Sequence, residues 1–174
     1  SFEAGASNDR MSFSLRSLTY PDLLGKATQL AARQLGAPAF PAPIWLRERE
    51  RLNAALKEAN TRPATLVERA FSAAVYGSHP YGYEMTESTL ARIEVAHMKA
   101  LYSRLILPCR AKVSIVGAVS RAQADDMVRQ LFSRLSPVAT APAACAALPA
   151  VPEVAALSQA VEQGIAFDSA QAHV

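Results

Sequence analysis

Glu48-Arg49, Arg62-Pro63, His79-Pro80-Tyr81-Gly82, Leu107-Pro108 and Ala111-Lys112-Val113-Ser114-Ile115-Val116-Gly117 succeed one another along residues 48–117, with helical sequence in the gaps. From Ile44 to Asn60 the apolar positions Trp45, Leu52, Ala55 and Leu56 stand against a densely charged face, which predicts an amphipathic helix. Pro63 opens a second helix, running through Tyr76 to a stop at Gly77, because proline suits a first helical position. Pro80 and Gly82 then set a turn. A short helix follows from Glu87 to Ile93, with Thr86 or Ser88 as its cap, and it can merge into Val95 to Leu105. Lys112 to Val116 reads as a strand.

Upstream, Met11-Ser12-Phe13-Ser14-Leu15-Arg16 alternates apolar and polar residues, the pattern of a half-buried strand. Tyr20-Pro21-Asp22 starts a helix whose expected stripe is Leu23, Leu24, Ala27, Leu30, Ala31 and Leu35, ended by Gly36 and Pro38. Downstream, Ser120 caps a last helix that carries Ala124, Met127, Val128, Leu131 and Phe132 inward. From Ser136 to about Pro152 the chain becomes an Ala/Pro/Val linker with little periodicity. Gly164 to Phe167 and Ala170 to Val174 read as short strands. The expected class is α+β, with helices covering a small, mainly antiparallel sheet.

The 174 residues fit one domain with a linker or the start of a second unit. Hydrophobic residues make up 51% and charged residues 19%, which is globular and not disordered. The net charge of +3 comes from arginines interleaved with acids, without a basic stripe or base-stacking aromatics, so nucleic acid is not an expected partner. No apolar run approaches the ~18 residues of a membrane span. Cys109 and Cys145 form no CxxC pair; a disulfide between them is not the favoured expectation, and cysteine usage leaves the compartment open.

The chemistry-bearing residues are sparse. The chain has 3 histidines, His79, His97 and His173, and none has another within helical reach to share a metal ion. His79 with its neighbouring tyrosines is expected to pack around the turn, His97 to lie partly exposed on a helix, and His173 to be structural. There is no G-x-S-x-G elbow and no cysteine near a histidine in sequence. Gly117 lies between a strand and a helix without GxGxxG or GK[ST], so a strand end needing a small residue explains it better than a phosphate site. Arg47-Glu48-Arg49-Glu50-Arg51 is most simply a solvated face with internal ion pairs; a chamber wall or a subunit contact remains the alternative.

The order and spacing of the segments in residues 48–117 resemble the M16 (insulinase/pitrilysin, inverzincin) zinc-metallopeptidase family. Gly5 to Arg10 before a strand, Leu35 to Phe40, Ile115-Val116-Gly117, and Ser169 to Val174 extend the likeness over nearly the whole chain. The resemblance implies a two-layer LuxS/MPP-like domain. Residues 1–135 would be a partial peptidase-like domain, 136–160 a linker, and 161–174 the start of a second homologous domain or returning strands. The family's metal helix carries H-x-x-E-H, in which two histidines reach one zinc and the glutamate polarises water. That motif does not occur in this chain. A further glutamate ligand follows the Glu-Arg pair after five residues, which lands here on Ala55. Counting back from His79-Pro80 reaches the same position. Glu58, one turn on, is displaced by about 5 Å along the axis, more than twice a metal–oxygen bond.

The resemblance therefore implies an inactive, non-zinc-binding domain of a bacterial zinc protease. It would pair with an active subunit, or with itself, to bind and enclose peptide substrates. No catalytic residue and no metal ligand is assigned in this chain, and zinc belongs to the family's active subunits. The alternative is a fragment of an active zinc metalloendopeptidase, a hydrolase whose HxxEH lies upstream; Ala55 argues against it. A pure scaffold is a third possibility. A periplasmic location is favoured over a cytoplasmic one.

Overall fold

The computed structural model describes residues 1–135, 145 and 147–166. The chain divides into two compact units. One gathers Ser1–Phe40 and Ala96–Ala147, the other Pro41–Val95 and Leu148–Val174.

The first unit begins with a hairpin. Strand β1 (Phe2–Ala6) pairs antiparallel with β2 (Met11–Leu15), in the register Phe2↔Leu15, Ala4↔Phe13 and Ala6↔Met11. The Ser7 amide donates to the Arg10 carbonyl at 2.8 Å to close the turn. Phe2 and Phe13 stack on one face with ring centres 6.3 Å apart, the kind of cross-strand pair that stabilises a short ribbon. β2 is the strand expected at Met11–Arg16, whereas β1 was not anticipated.

Helix α1 (Pro21–Gly36) starts with proline in its first turn and ends when the Ala37 amide donates to the Arg33 carbonyl. Its buried residues are Thr28, Ala31, Ala32 and Leu35. Leu23 and Leu30 are exposed at 41% and 44%, so the expected stripe is corrected by about one residue around the helix. Packing causes the shift. α6 (Arg121–Phe132) lies against α1, and the small side chains of Ala31 and Ala32 let the two backbones approach. The Thr28 hydroxyl donates to the Leu24 carbonyl at 2.9 Å, so its burial leaves no donor unpaired. α6 is capped as expected. Ser120 accepts from the Gln123 amide while the Gln123 side chain accepts from the Ser120 amide.

Helix α5 (Val95–Leu105) contributes Tyr102, which packs edge-on to both Phe13 and Phe40. A 3₁₀ turn follows at Pro108–Arg110. Here Cys109 is joined by a disulfide to Cys145, which corrects the expectation that the two are not bonded. The two lie 36 residues apart in sequence, a separation that carries no geometric information; folding brings their Cα atoms to 6.1 Å, within the bonding range.

The second unit is helical: α2 (Ala42–Ala59), α3 (Pro63–Tyr76), a 3₁₀ turn at Pro80–Gly82, and α4 (Glu87–Ala91). Thr86 caps α4 in a reciprocal box with Thr89, and Leu90 is its fully buried side chain. α4 and α5 do not merge. The Arg92 and Ile93 amides bond back three residues, to Thr89 and Leu90, which tightens and ends the helix.

Two expected strands are not found among the described residues. Lys112–Val116 is not a strand, with Val113 46% and Val116 96% exposed. Alternation marks a segment able to pair, but a strand also needs a neighbouring backbone, and among the described residues none lies alongside. Residues 164–166 are likewise not a strand, while 167 and the expected strand at 170–174 lie outside the described residues. Among the described residues the architecture is a mixed one, mostly helix with one small antiparallel sheet.

Candidate functional site

α2 carries the position on which the expected chemistry turns. Trp45, Arg49, Leu52, Asn53 and Leu56 form its half-buried side. The Trp45 indole N–H donates to the Ile93 carbonyl at 3.1 Å, anchoring α2 beside the end of α4. Ala55 was expected among the inward positions, but it is exposed, about a quarter-turn from that side at 3.6 residues per turn. A methyl group therefore faces solvent where the resemblance would place a metal-binding carboxylate.

Glu58 lies one turn further along α2. Its carboxylate is engaged by the Arg62 guanidinium at the junction of α2 and α3. The preceding charged run behaves as a solvated surface, with Glu48 and Arg51 paired at 2.9 Å and both well exposed.

His79 forms the turn. Its Nδ1 accepts a 3.1 Å hydrogen bond from the Tyr81 amide, and its carbonyl accepts from Gly82. The ring lies 4.8 Å from that of Tyr81, edge to face, and 6.1 Å from that of Tyr76. A histidine whose Nδ1 holds a backbone amide is set as a structural cap. Gly77 precedes the turn at φ 53°, ψ −117°, a conformation that favours glycine. Gly82 is needed for closeness, since a Cβ there would sit 3.0 Å from that of Tyr76.

Arg69 is the residue that sequence reasoning missed. From α3 it donates to the Asn60 side-chain oxygen at the end of α2 and to Glu84 beyond the turn, the latter at 3.0 Å. Neither partner has a helical spacing to it, so no local signal could have found the pairing.

His97 lies exposed on α5, and His173 is outside the described residues. Among the described residues no three His, Cys, Asp or Glu side chains come together as a metal site. The donors required for catalytic zinc are three protein ligands. The described residues of this chain do not bring such a set together. No described helix is long and apolar enough to cross a membrane.

No family profile matches the sequence, and no curated protein matches it. Among solved structures, the chain resembles the crystal structure of a peptidase M16 inactive domain from Pseudomonas fluorescens, with a TM-score of 0.76 and 26% sequence identity. The match covers 89% of this chain but only 36% of that one, so the chain spans about a third of its neighbour's length. The fold is thus similar to that of an M16 domain of the inactive type.

Proposed function

We propose that this chain is a catalytically inactive M16-like domain that pairs with a zinc-bearing catalytic subunit and helps hold peptide substrate. The observation that carries the proposal is the exposed Ala55 at the position of the family's ligand glutamate, in a chain whose fold is similar to an inactive M16 domain. Without that carboxylate α2 lacks the ligand that the family places there, and Glu58, one turn on, is paired with Arg62. A binding role needs no such ligand.

Exposed apolar side chains support a pairing role. Ile44 and Leu46 on α2 and Phe71 on α3 are 44%, 48% and 65% exposed, and a subunit contact would cover them. The compartment we propose is an oxidising one, the periplasm, because a disulfide such as Cys109–Cys145 persists there and is reduced in the cytosol.

The test is zinc content after exhaustive dialysis, followed by an assay with a fluorogenic peptide mixture. The chain alone should hold no stoichiometric zinc and cleave nothing in a chelator-sensitive way. Adding the HxxEH-bearing subunit from the same organism should give co-elution and raise cleavage above that of the subunit alone. One tightly held zinc per chain, or chelator-sensitive cleavage by the chain itself, would overturn the proposal.

A further inference from the structure

The first unit contains a cleft of about 350 Å³ between the end of α1, one side of α5 and the residues after α6. Its floor is apolar, built from Phe40, Tyr102, Ile106 and Leu135, and no acidic residue lines it. Of its polar groups, the Tyr102 hydroxyl already donates to the Leu35 carbonyl and the Ser103 hydroxyl to the Ala100 carbonyl. The remaining donors are the Lys99 ammonium and the Arg134 guanidinium. Neither forms an ion pair among the described residues. The last turn of α1 could attract a cation through its free carbonyls, but the Leu35 carbonyl is occupied by Tyr102.

Two cations outside any ion pair, beside an apolar floor in a cleft that no acid lines, complement a carboxylate attached directly to an apolar group. The volume lies near the lower end of the roughly 300–1,000 Å³ range of ligand sites, which suits one amino-acid residue better than a long acyl chain. We infer that the cleft binds the C-terminal residue of a peptide. Its apolar side chain lies against Phe40 and Ile106, and its terminal carboxylate is held by Lys99 and Arg134. The choice of a peptide over other apolar carboxylates rests on the peptide-holding role proposed above; the preference for a carboxylate rests on the cleft alone.

Calorimetric titration of the full chain at low salt tests this, using a short acetylated peptide ending in phenylalanine, its C-terminal amide, and N-acetylphenylalanine. The free acid is expected to bind at least about tenfold more tightly than the amide, a charge-assisted contact being lost. Lys99→Gln and Arg134→Gln should each weaken the acid several-fold without affecting the amide, and their melting curves should match the parent's. Equal affinity for acid and amide, no binding of either, or unchanged affinity in both variants would overturn the carboxylate site. N-acetylphenylalanine binding as tightly as the peptide would overturn the peptide as occupant. Failure to pair with a catalytic subunit would sink the proposed function while leaving each of these affinities unchanged.

Discussion

The Tyr102 hydroxyl donates a 2.7 Å hydrogen bond to the Leu35 carbonyl, 67 residues away in the sequence. Leu35 sits in the last turn of α1, where carbonyls lack helical partners, so one side chain from α5 satisfies a group that the helix leaves over. The same ring packs edge-on to Phe13 of β2 and to Phe40, joining strand, helix end and connector. Tyr102→Phe keeps the ring contacts but removes the donor. The expected loss is about 1–2 kcal/mol, the cost of a partly buried carbonyl without its partner. A urea titration measures it, and an unchanged midpoint would mean that water replaces the hydroxyl fully.

The same residue gives the chain an alkaline limit. Burial pushes the Tyr102 phenol up from its ordinary value near 10.0. The unfolded chain then loses this proton at a lower pH than the folded one, and protons bound only in the folded state make stability fall as pH rises. The contribution is complete below pH 10 and lost as pH climbs through the raised value. Melting temperature should therefore drop more steeply above pH 10 in the parent than in Tyr102→Phe; parallel curves would contradict the assignment.

One chemical change should have opposite signs at two places in α1. A Cβ added at Gly36 would meet the Arg134 carbonyl oxygen at 2.8 Å and its carbon at 2.9 Å, and backbone cannot swing away as a side-chain end can. Gly36→Ala is expected to destabilise by about 1–3 kcal/mol through overpacking. Gly25 lies within the same helix with nothing within 4 Å of the added atom. Gly25→Ala should stabilise by up to ~1 kcal/mol, the helix-propensity gain. Thermal melts of the two variants decide, and a shared sign would refute the packing of α1 against the residues after α6.

The Cys109–Cys145 bridge closes a loop of 36 residues in sequence separation. Constraining the unfolded chain over such a loop stabilises by about 2–4 kcal/mol in the chain-entropy account. A thiol reductant should lower the melting temperature of the parent and leave the Cys109→Ala/Cys145→Ala double variant unmoved. A reductant effect of equal size in both would place it outside this bond.

Local chemistry was legible in the sequence wherever it involved residues a few positions apart. Proline in the first turn of α1 and α3, the Ser120–Gln123 box of α6 and the Thr86 cap of α4 lie where the residue types put them. What depends on a distant neighbour was not legible. The Lys112–Val116 alternation has no strand partner among the described residues, α1 turned its small residues inward because α6 lies there, and two cysteines met across a loop. The candidate site divides the same way. The identity of residue 55 follows from counting, whereas its exposure depends on which side of α2 the Trp45–Ile93 bond holds down.

Ala55→Glu tests that position directly. The residue is exposed on a helix, where glutamate is nearly as favourable as alanine, so the variant should fold with a change within about 0.5 kcal/mol. The new carboxylate would then be in place without companions, since the described residues offer no cluster of donors to complete a site. One oxygen ligand does not retain zinc against dialysis or lower the pKa of a bound water. The expected outcome is a well-folded variant without stoichiometric zinc and without chelator-sensitive cleavage of a fluorogenic peptide mixture. If this single change produced chelator-sensitive peptidase activity, a set of metal donors would have to exist around α2, and the domain would be one substitution away from an enzyme.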